Sequence, residues 1–241
     1  MNKNKIIAGL TSIAAVFVFA ITAHAATTYT LFGDATIVPT GNPGNAAQLE
    51  SNEPGGFAGV DFESDTVTTL NDLTNLATDY NFTENSCGAG SPRFQVNLED
   101  PNSADTGNMF VYIGTPPNYT DCPMNVWTST GNLVAPASLV DTTQLDGGMP
   151  YDPYADALVK YGDYLVTGVQ LVADGEWMFS GDQVVLVDNV EINSDVVTFD
   201  EPEPVGSPTS KDECKNGGWE DFGFSNQGQC IRFVNTGQDS R

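Results

Sequence analysis

The alternation of apolar and polar residues in short runs constrains the fold of this chain more than any other feature. Runs with a period of two place successive side chains on opposite faces of a β-strand. Five such runs span residues 28–32, 93–98, 109–113, 165–172 and 184–192. Residues favoured in strands fill these runs, and Gly, Pro, Asn and Asp separate them. We therefore predict an all-β fold over residues 26–199, a two-sheet antiparallel β-sandwich of the jelly-roll type with its own core.

A single segment, residues 152–162, has the pattern of a helix. Asp152 is the predicted N-cap, Pro153 occupies the first helical position, Lys160 lies near the end and Gly162 terminates the segment. We expect one short connector helix here.

The first 25 residues have the layout of a secretory signal peptide. Lys3 and Lys5 precede an apolar run at 6–21, and small residues flank a predicted cleavage point between Ala25 and Ala26. An uncleaved membrane anchor is the weaker interpretation, because a spanning helix needs about 20 apolar residues. We expect an exported bacterial protein, extracellular or in the cell envelope, with no membrane span after cleavage.

The cysteine count supports an oxidising compartment. An even number of cysteines in an exported protein predicts disulfides, and four cysteines allow three pairings. The four are Cys87, Cys122, Cys214 and Cys230. Proximity in the sequence favours pairing the first two and the last two, since a Pro-rich segment at 200–209 separates the sets. Neither set has the CxxC spacing of a zinc site.

The segment 200–209 is predicted to be a linker, because it combines three prolines with acidic and small polar residues. It separates the predicted sandwich from a tail at 210–241. Such a tail is too small for a core of its own, so it needs a disulfide or packing against the larger domain.

The charge balance excludes several classes of function. The chain has 32 acidic and 8 basic residues, a net charge of -24, and would repel nucleic acid and anionic lipid. Its one histidine, His24, lies in the predicted signal peptide, so histidine-dependent nucleophilic catalysis and His-ligated metals are excluded. Carboxylate chemistry, hard cations such as calcium, and binding remain.

The tail contains CKNGGW at 214–219 and NQGQC at 226–230. These pieces resemble a C-terminal signature of uncharacterised secreted bacterial proteins, over about 28 residues. The resemblance implies export and no particular chemistry.

The strand at 184–192 and the triplet at 61–63 resemble carbohydrate-binding jelly rolls. That resemblance implies a polysaccharide ligand and a structural calcium shared by Asp61, Glu63 and Asp188. Neighbouring carboxylates on one strand face lie about 6.6 Å apart, whereas calcium–oxygen distances are about 2.3–2.6 Å. A calcium site therefore needs a turn, a bulge or ligands from elsewhere; the alternative is a solvated polar face.

Exposed aromatic residues are the second group of candidates. Trp177 lies in a turn-rich link between two strands, where its ring could stack on a sugar. Further aromatic candidates are Tyr112, Tyr119, Trp127, Tyr151 and Tyr154. The alternative for all of them is packing in the core or in loops. Arg93 is a candidate ligand-binding residue, with a structural ion pair as its alternative.

Three functional hypotheses follow. The first is an exported, non-catalytic β-sandwich that binds polysaccharide or another envelope component. The second is a carboxylate-dependent glycosidase or lyase, although no local motif identifies a catalytic pair among the many acids. The third is a structural or adhesive surface protein. Oligomeric state is left open by the sequence.

Overall fold

A computed structural model describes residues 27–52, 55–175, 182–200 and 208–238. The predicted signal peptide, with its cleavage point at Ala25 and Ala26, and most of the predicted linker lie outside these ranges. None of the helices within them has the length and apolar composition needed to cross a membrane.

Antiparallel strands dominate the structure, which confirms the predicted all-β sandwich. The strands are β1 (Thr28–Gly33), β2 (Ala35–Val38), β3 (Ala46–Ser51), β4 (Phe57–Glu63), β5 (Leu76–Glu84), β6 (Arg93–Glu99), β7 (Thr106–Tyr112), β8 (Thr128–Ser129), β9 (Leu139–Val140), β10 (Asp152–Pro153), β11 (Leu165–Asp174), β12 (Gln183–Ile192) and β13 (Asp195–Val197). The helices are a 3-10 turn at Leu70–Asp72, α1 (Tyr154–Tyr161), α2 (Gly218–Asp221) and α3 (Gln227–Thr236).

Two sheets enclose the main core. The front sheet has the order β1-β4-β11-β6-β7, and the back sheet has the order β2-β3-β12-β5-β8 with β13 paired to β12. Alternate residues of each strand point into the core, for example Val60 on β4 and Val187 on β12, both fully buried. Burial of each large apolar side chain contributes about 1.5–3 kcal/mol. Their polar neighbours therefore line the two outer faces.

The segment around Asp141 lies beside β7 and extends the front sheet by one pair of bridged residues. Phe110 and Asp141 exchange two backbone hydrogen bonds of 2.8 Å, and β9 then pairs with β10. This arrangement brings the segment that contains Asp141 and Tyr151 to the edge of the front sheet.

The predicted connector helix is present, but the predicted N-cap is wrong. Helix α1 begins at Tyr154, and Pro153 occupies the N-cap position with an extended backbone. Asp152 is buried and belongs to β10, where its carboxylate accepts hydrogen bonds from Lys160 Nζ at 2.6 Å and Thr142 Oγ1 at 3.0 Å. Because the Asp152 carboxylate pairs with Lys160, it does not cap the helix.

Both predicted disulfides, Cys87–Cys122 and Cys214–Cys230, are confirmed. The tail nevertheless differs from the expectation of a single helix in the chain, because it forms α2 and α3. Asn226 caps α3 by accepting a hydrogen bond from the Gln229 backbone N–H at 3.0 Å. Its own small cluster is centred on Cys214, Phe224 and Cys230, so the disulfide lies at the middle of what the tail buries.

Candidate functional site

The outer face of the front sheet carries the candidate site. The pairing register aligns one row of outward-facing residues across its five strands: Phe32, Gly59, Val172, Arg93 and Tyr112. The adjacent rows face the core, since Val60 and Phe94 are fully buried. The row thus runs from an aromatic residue on β1 to another on β7.

At the β7 end of this row lies an open pocket with three tyrosine side chains, which we call the tyrosine pocket. Its lining residues are Ala89, Gly90, Tyr112, Pro117, Asn118, Tyr119, Asp141, Pro150 and Tyr151. The volume of about 240 Å³ is below the range of about 300–1,000 Å³ for drug-sized ligands. The pocket therefore suits one unit of a larger ligand.

The three rings form a continuous group. The ring centroids of Tyr112 and Tyr119 lie 4.7 Å apart, and those of Tyr119 and Tyr151 lie 6.5 Å apart with an interplanar angle of 15°. Tyr151 is 45% exposed, and its hydroxyl donates to the Pro117 carbonyl at 3.0 Å. Tyr151 is thus the accessible aromatic surface of the pocket.

Local structure positions each ring. Tyr112 ends β7, and Tyr119 follows on a loop that the Thr115–Thr120 backbone hydrogen bond closes at 3.2 Å. The backbone of Tyr119 has a φ of 51°, a left-handed conformation that bulky residues rarely adopt. Cys122, three residues later, anchors this loop to Cys87.

Asp141 is the charged residue among the described residues that line the tyrosine pocket. Its carboxylate accepts hydrogen bonds from the Tyr112 hydroxyl at 2.7 Å and from the Thr143 hydroxyl at 2.6 Å. Burial raises the pKa of Tyr119 to about 12, and burial together with the bond to Asp141 raises the pKa of Tyr112. Both phenols are therefore neutral near pH 7, and the pocket combines aromatic faces, neutral hydroxyls and one carboxylate.

Arg93 lies next to the pocket, and its contacts are those of a structural ion pair. It is 4% exposed, with Nη2 at 3.1 Å from an Asp174 carboxylate oxygen. Nε donates to the Gln95 side chain at 3.0 Å, and the guanidinium lies 5.3 Å from the centroid of the Phe110 ring. Burial lowers the pKa of Arg93, and the bond to Asp174 opposes this shift.

A second depression occupies the other end of the row. It includes Phe32, Phe57 and Gln170, and Phe57 is 51% exposed. Gly59 permits this arrangement, because a Cβ there would collide with the Phe32 ring. The Gln95 side chain donates to that of Gln170 at 3.2 Å, so polar groups connect the depression to the Arg93 side of the face.

The three predicted calcium ligands do not converge. Asp61 and Glu63 lie on the outer face of the front sheet, half-buried and exposed respectively, whereas Asp188 is fully buried on β12 of the back sheet. The Asp188 carboxylate accepts backbone N–H bonds from Asn42 and Asn189, each 2.7 Å. Burial raises its pKa, and these two bonds oppose the shift.

Across the described ranges, no group of three or more His, Cys, Asp or Glu residues is placed to hold a metal ion. The joint calcium site implied by the resemblance is therefore not assembled.

The structure sorts the aromatic candidates. Tyr112, Tyr119 and Tyr151 come together in the tyrosine pocket, whereas Tyr154 is buried in the core and donates to the Leu73 carbonyl at 2.6 Å. Trp177 lies outside the described residues. Asp141 was missed by sequence reasoning, because no motif connects it to tyrosines on other segments.

Neither a protein-family model nor a curated protein sequence matches this chain. Among solved structures, one similar chain is that of an exo-beta-agarase, with 14% sequence identity and a TM-score of 0.32. The alignment covers 76% of this chain and 25% of that chain. The chain thus corresponds to a quarter of the agarase's length, and a likeness at this level establishes neither family nor activity.

Proposed function

We propose that this chain is an exported, non-catalytic protein that binds polysaccharide, with one sugar unit in the tyrosine pocket. The observation that carries the proposal is the meeting of three tyrosine side chains and one carboxylate in an open pocket. Aromatic rings offer flat apolar surfaces to the faces of sugar rings, and hydroxyl and carboxylate oxygens can hydrogen-bond sugar hydroxyls. An aromatic lining with a few polar groups is typical of small-molecule sites.

Two further features support this proposal. Both cysteine pairs are oxidised, as expected outside the cell. The described lining of the tyrosine pocket provides a single carboxylate, Asp141, whereas most glycosidases use a pair about 5–9.5 Å apart. Binding therefore fits the pocket better than hydrolysis.

Replacement of Tyr151 by alanine tests the proposal. Because Tyr151 is the exposed ring of the pocket, Tyr151→Ala is expected to weaken glycan binding about tenfold, the order of magnitude of an aromatic contact with its buried area. The measurement is isothermal titration against plant, fungal and bacterial wall glycans, with calcium and with a chelator.

Val196→Ala is the matched control, since Val196 is a 57% exposed apolar residue on β13 of the back sheet. It is expected to bind glycan as the wild type does. The proposal is wrong if the wild type binds no glycan in the panel, or if Tyr151→Ala retains wild-type affinity.

A further inference from the structure

The Tyr119 hydroxyl is an exception among the buried polar groups near the site. Tyr119 is 6% exposed, and its hydroxyl is buried without a hydrogen-bond partner within the described part of the chain. Buried polar groups are normally paired, because an unpaired one destabilises the folded state. The neighbouring Tyr112 and the core residue Tyr154 follow that rule, donating to Asp141 and to the Leu73 carbonyl.

The residue that carries the unpaired hydroxyl belongs to the wall of the tyrosine pocket. Tyr119 lines the pocket together with Asp141 and Tyr151. The left-handed backbone at φ 51° is a second unfavourable feature of the same residue, and such features concentrate at functional sites.

Tyr151 is the exposed ring next to Tyr119 in the tyrosine pocket. Its ring is nearly parallel to that of Tyr119, and its own hydroxyl forms one bond, to the Pro117 carbonyl. Rotation of this exposed side chain breaks a single hydrogen bond at the surface, where water can replace it. A small shift of the Tyr151 ring, with its face kept against the ligand, therefore gives a sugar in the pocket access to the Tyr119 hydroxyl.

We propose that the Tyr119 hydroxyl hydrogen-bonds a hydroxyl group of the bound sugar and so determines which sugar the pocket accepts. The inference rests on the proposed polysaccharide function and extends it to a specific contact. A phenol hydroxyl both donates and accepts, so it pairs with a sugar hydroxyl in either direction. A sugar that lacks this hydroxyl leaves the buried group unpaired and is disfavoured.

Tyr119→Phe tests this role, because it removes the hydroxyl and leaves the ring. The melting temperature is expected to stay equal or rise, since an unpaired buried group is lost. The Kd for the best glycan of the panel is expected to increase about three- to tenfold, which corresponds to one neutral hydrogen bond. An unchanged or higher melting temperature together with weaker glycan binding is the result expected when a buried hydroxyl is paired only by the ligand.

Tyr154→Phe is the matched control, because Tyr154 is an equally buried tyrosine whose hydroxyl is paired within the core. It is expected to lower the melting temperature and leave the Kd unchanged. A series of monodeoxy oligosaccharides provides the second readout. For the sugar without the contacted hydroxyl, the wild type and Tyr119→Phe are expected to bind equally, as a double-mutant cycle requires.

The outcomes separate the two proposals. If the wild type binds no glycan, the proposed function fails. If the wild type binds but Tyr119→Phe has the same Kd, or no deoxy sugar removes the difference, the role of Tyr119 fails alone. A lower melting temperature with unchanged affinity would show that the hydroxyl bonds a buried water or a protein group instead.

Discussion

Loss of the Cys214–Cys230 disulfide is expected to unfold the tail while the sandwich stays folded. The bond joins residues 16 positions apart, and closing a loop of that size stabilises the folded state by about 3 kcal/mol in the chain-entropy model. Two of the three buried residues in the tail cluster are these cysteines. Helix α3 has 10 residues, below the about 12–15 that an isolated helix needs in water. The double variant Cys214→Ala/Cys230→Ala therefore removes most of what holds the tail together.

The disulfide of the sandwich provides the comparison. Cys87 and Cys122 are 35 positions apart, so their bond contributes about 4 kcal/mol in the same model. The two cysteines of that bond, however, belong to a large continuous core. Most apolar side chains of this core are buried by other contacts than the disulfide. Cys87→Ala/Cys122→Ala is expected to melt at a lower temperature and remain folded at 25 °C.

Hydrogen exchange followed by mass spectrometry resolves both expectations. In Cys214→Ala/Cys230→Ala, the amides of α3 should exchange as in an unfolded peptide, and those of β5 and β12 should keep wild-type protection. Persistent protection of α3 would refute the reasoning that the disulfide replaces a core in the tail. Loss of protection in β12 would show that the tail stabilises the sandwich.

Two further predictions concern carboxylates. Asp72→Asn should lower the free energy of unfolding by about 0.2–0.5 kcal/mol at pH 7, the scale of a solvent-exposed charge interaction, because the Asp72 carboxylate accepts bonds from Thr68 and Thr69 that lower its pKa. That difference is present above the unfolded-state pKa of about 3.9 and should vanish as pH falls through the lower folded-state value, in urea titrations across pH. Asp174→Asn should destabilise by about 1–3 kcal/mol, since it removes a carboxylate that pairs with a buried guanidinium. Asp212→Asn, in an exposed pair, should leave the melting temperature unchanged.

Equal stability of Asp72→Asn and the wild type at pH 7 would contradict the first of these predictions. Equal melting temperatures for Asp174→Asn and Asp212→Asn would contradict the second.

The strands could be predicted because side-chain alternation is a local property, but their order in the sheets could not. Val60 on β4 pairs with Leu31 on one side and with Leu171 on the other, and nothing in the three segments specifies these partners. The disulfide pairing was predictable because each pair is close in the sequence. The predicted N-cap at Asp152 failed because Lys160 pairs with the buried Asp152 carboxylate. Helix α3 was missed because its apolar residues are few and its stability depends on the cap and the disulfide.

The site was predictable only at the level of residue type. Tyr151 was a candidate because it is aromatic, and the same reasoning also selected Tyr154, which the structure buries. Asp141 and Tyr119 acquire their roles from loops that meet at the sheet edge, which is a tertiary property. The position of Asp188 illustrates the same limit: its strand was evident from the sequence, while its assignment to the sheet opposite Asp61 was not.

The positions of the charged residues in the sandwich restrict the proposed glycan further than the number of acidic and basic residues does. Arg93 and Lys160 are the basic residues between positions 26 and 200, and the structure commits both to carboxylates, Asp174 and Asp152. A sulfated or uronate polysaccharide would bring its negative charge next to the Asp141 carboxylate. The described residues that line the tyrosine pocket include no basic side chain to offset this charge. Two like charges about 4 Å apart repel by about 4 kcal/mol at an effective dielectric constant of about 20. An uncharged glycan avoids that repulsion, so we infer that the proposed sugar site favours neutral sugars.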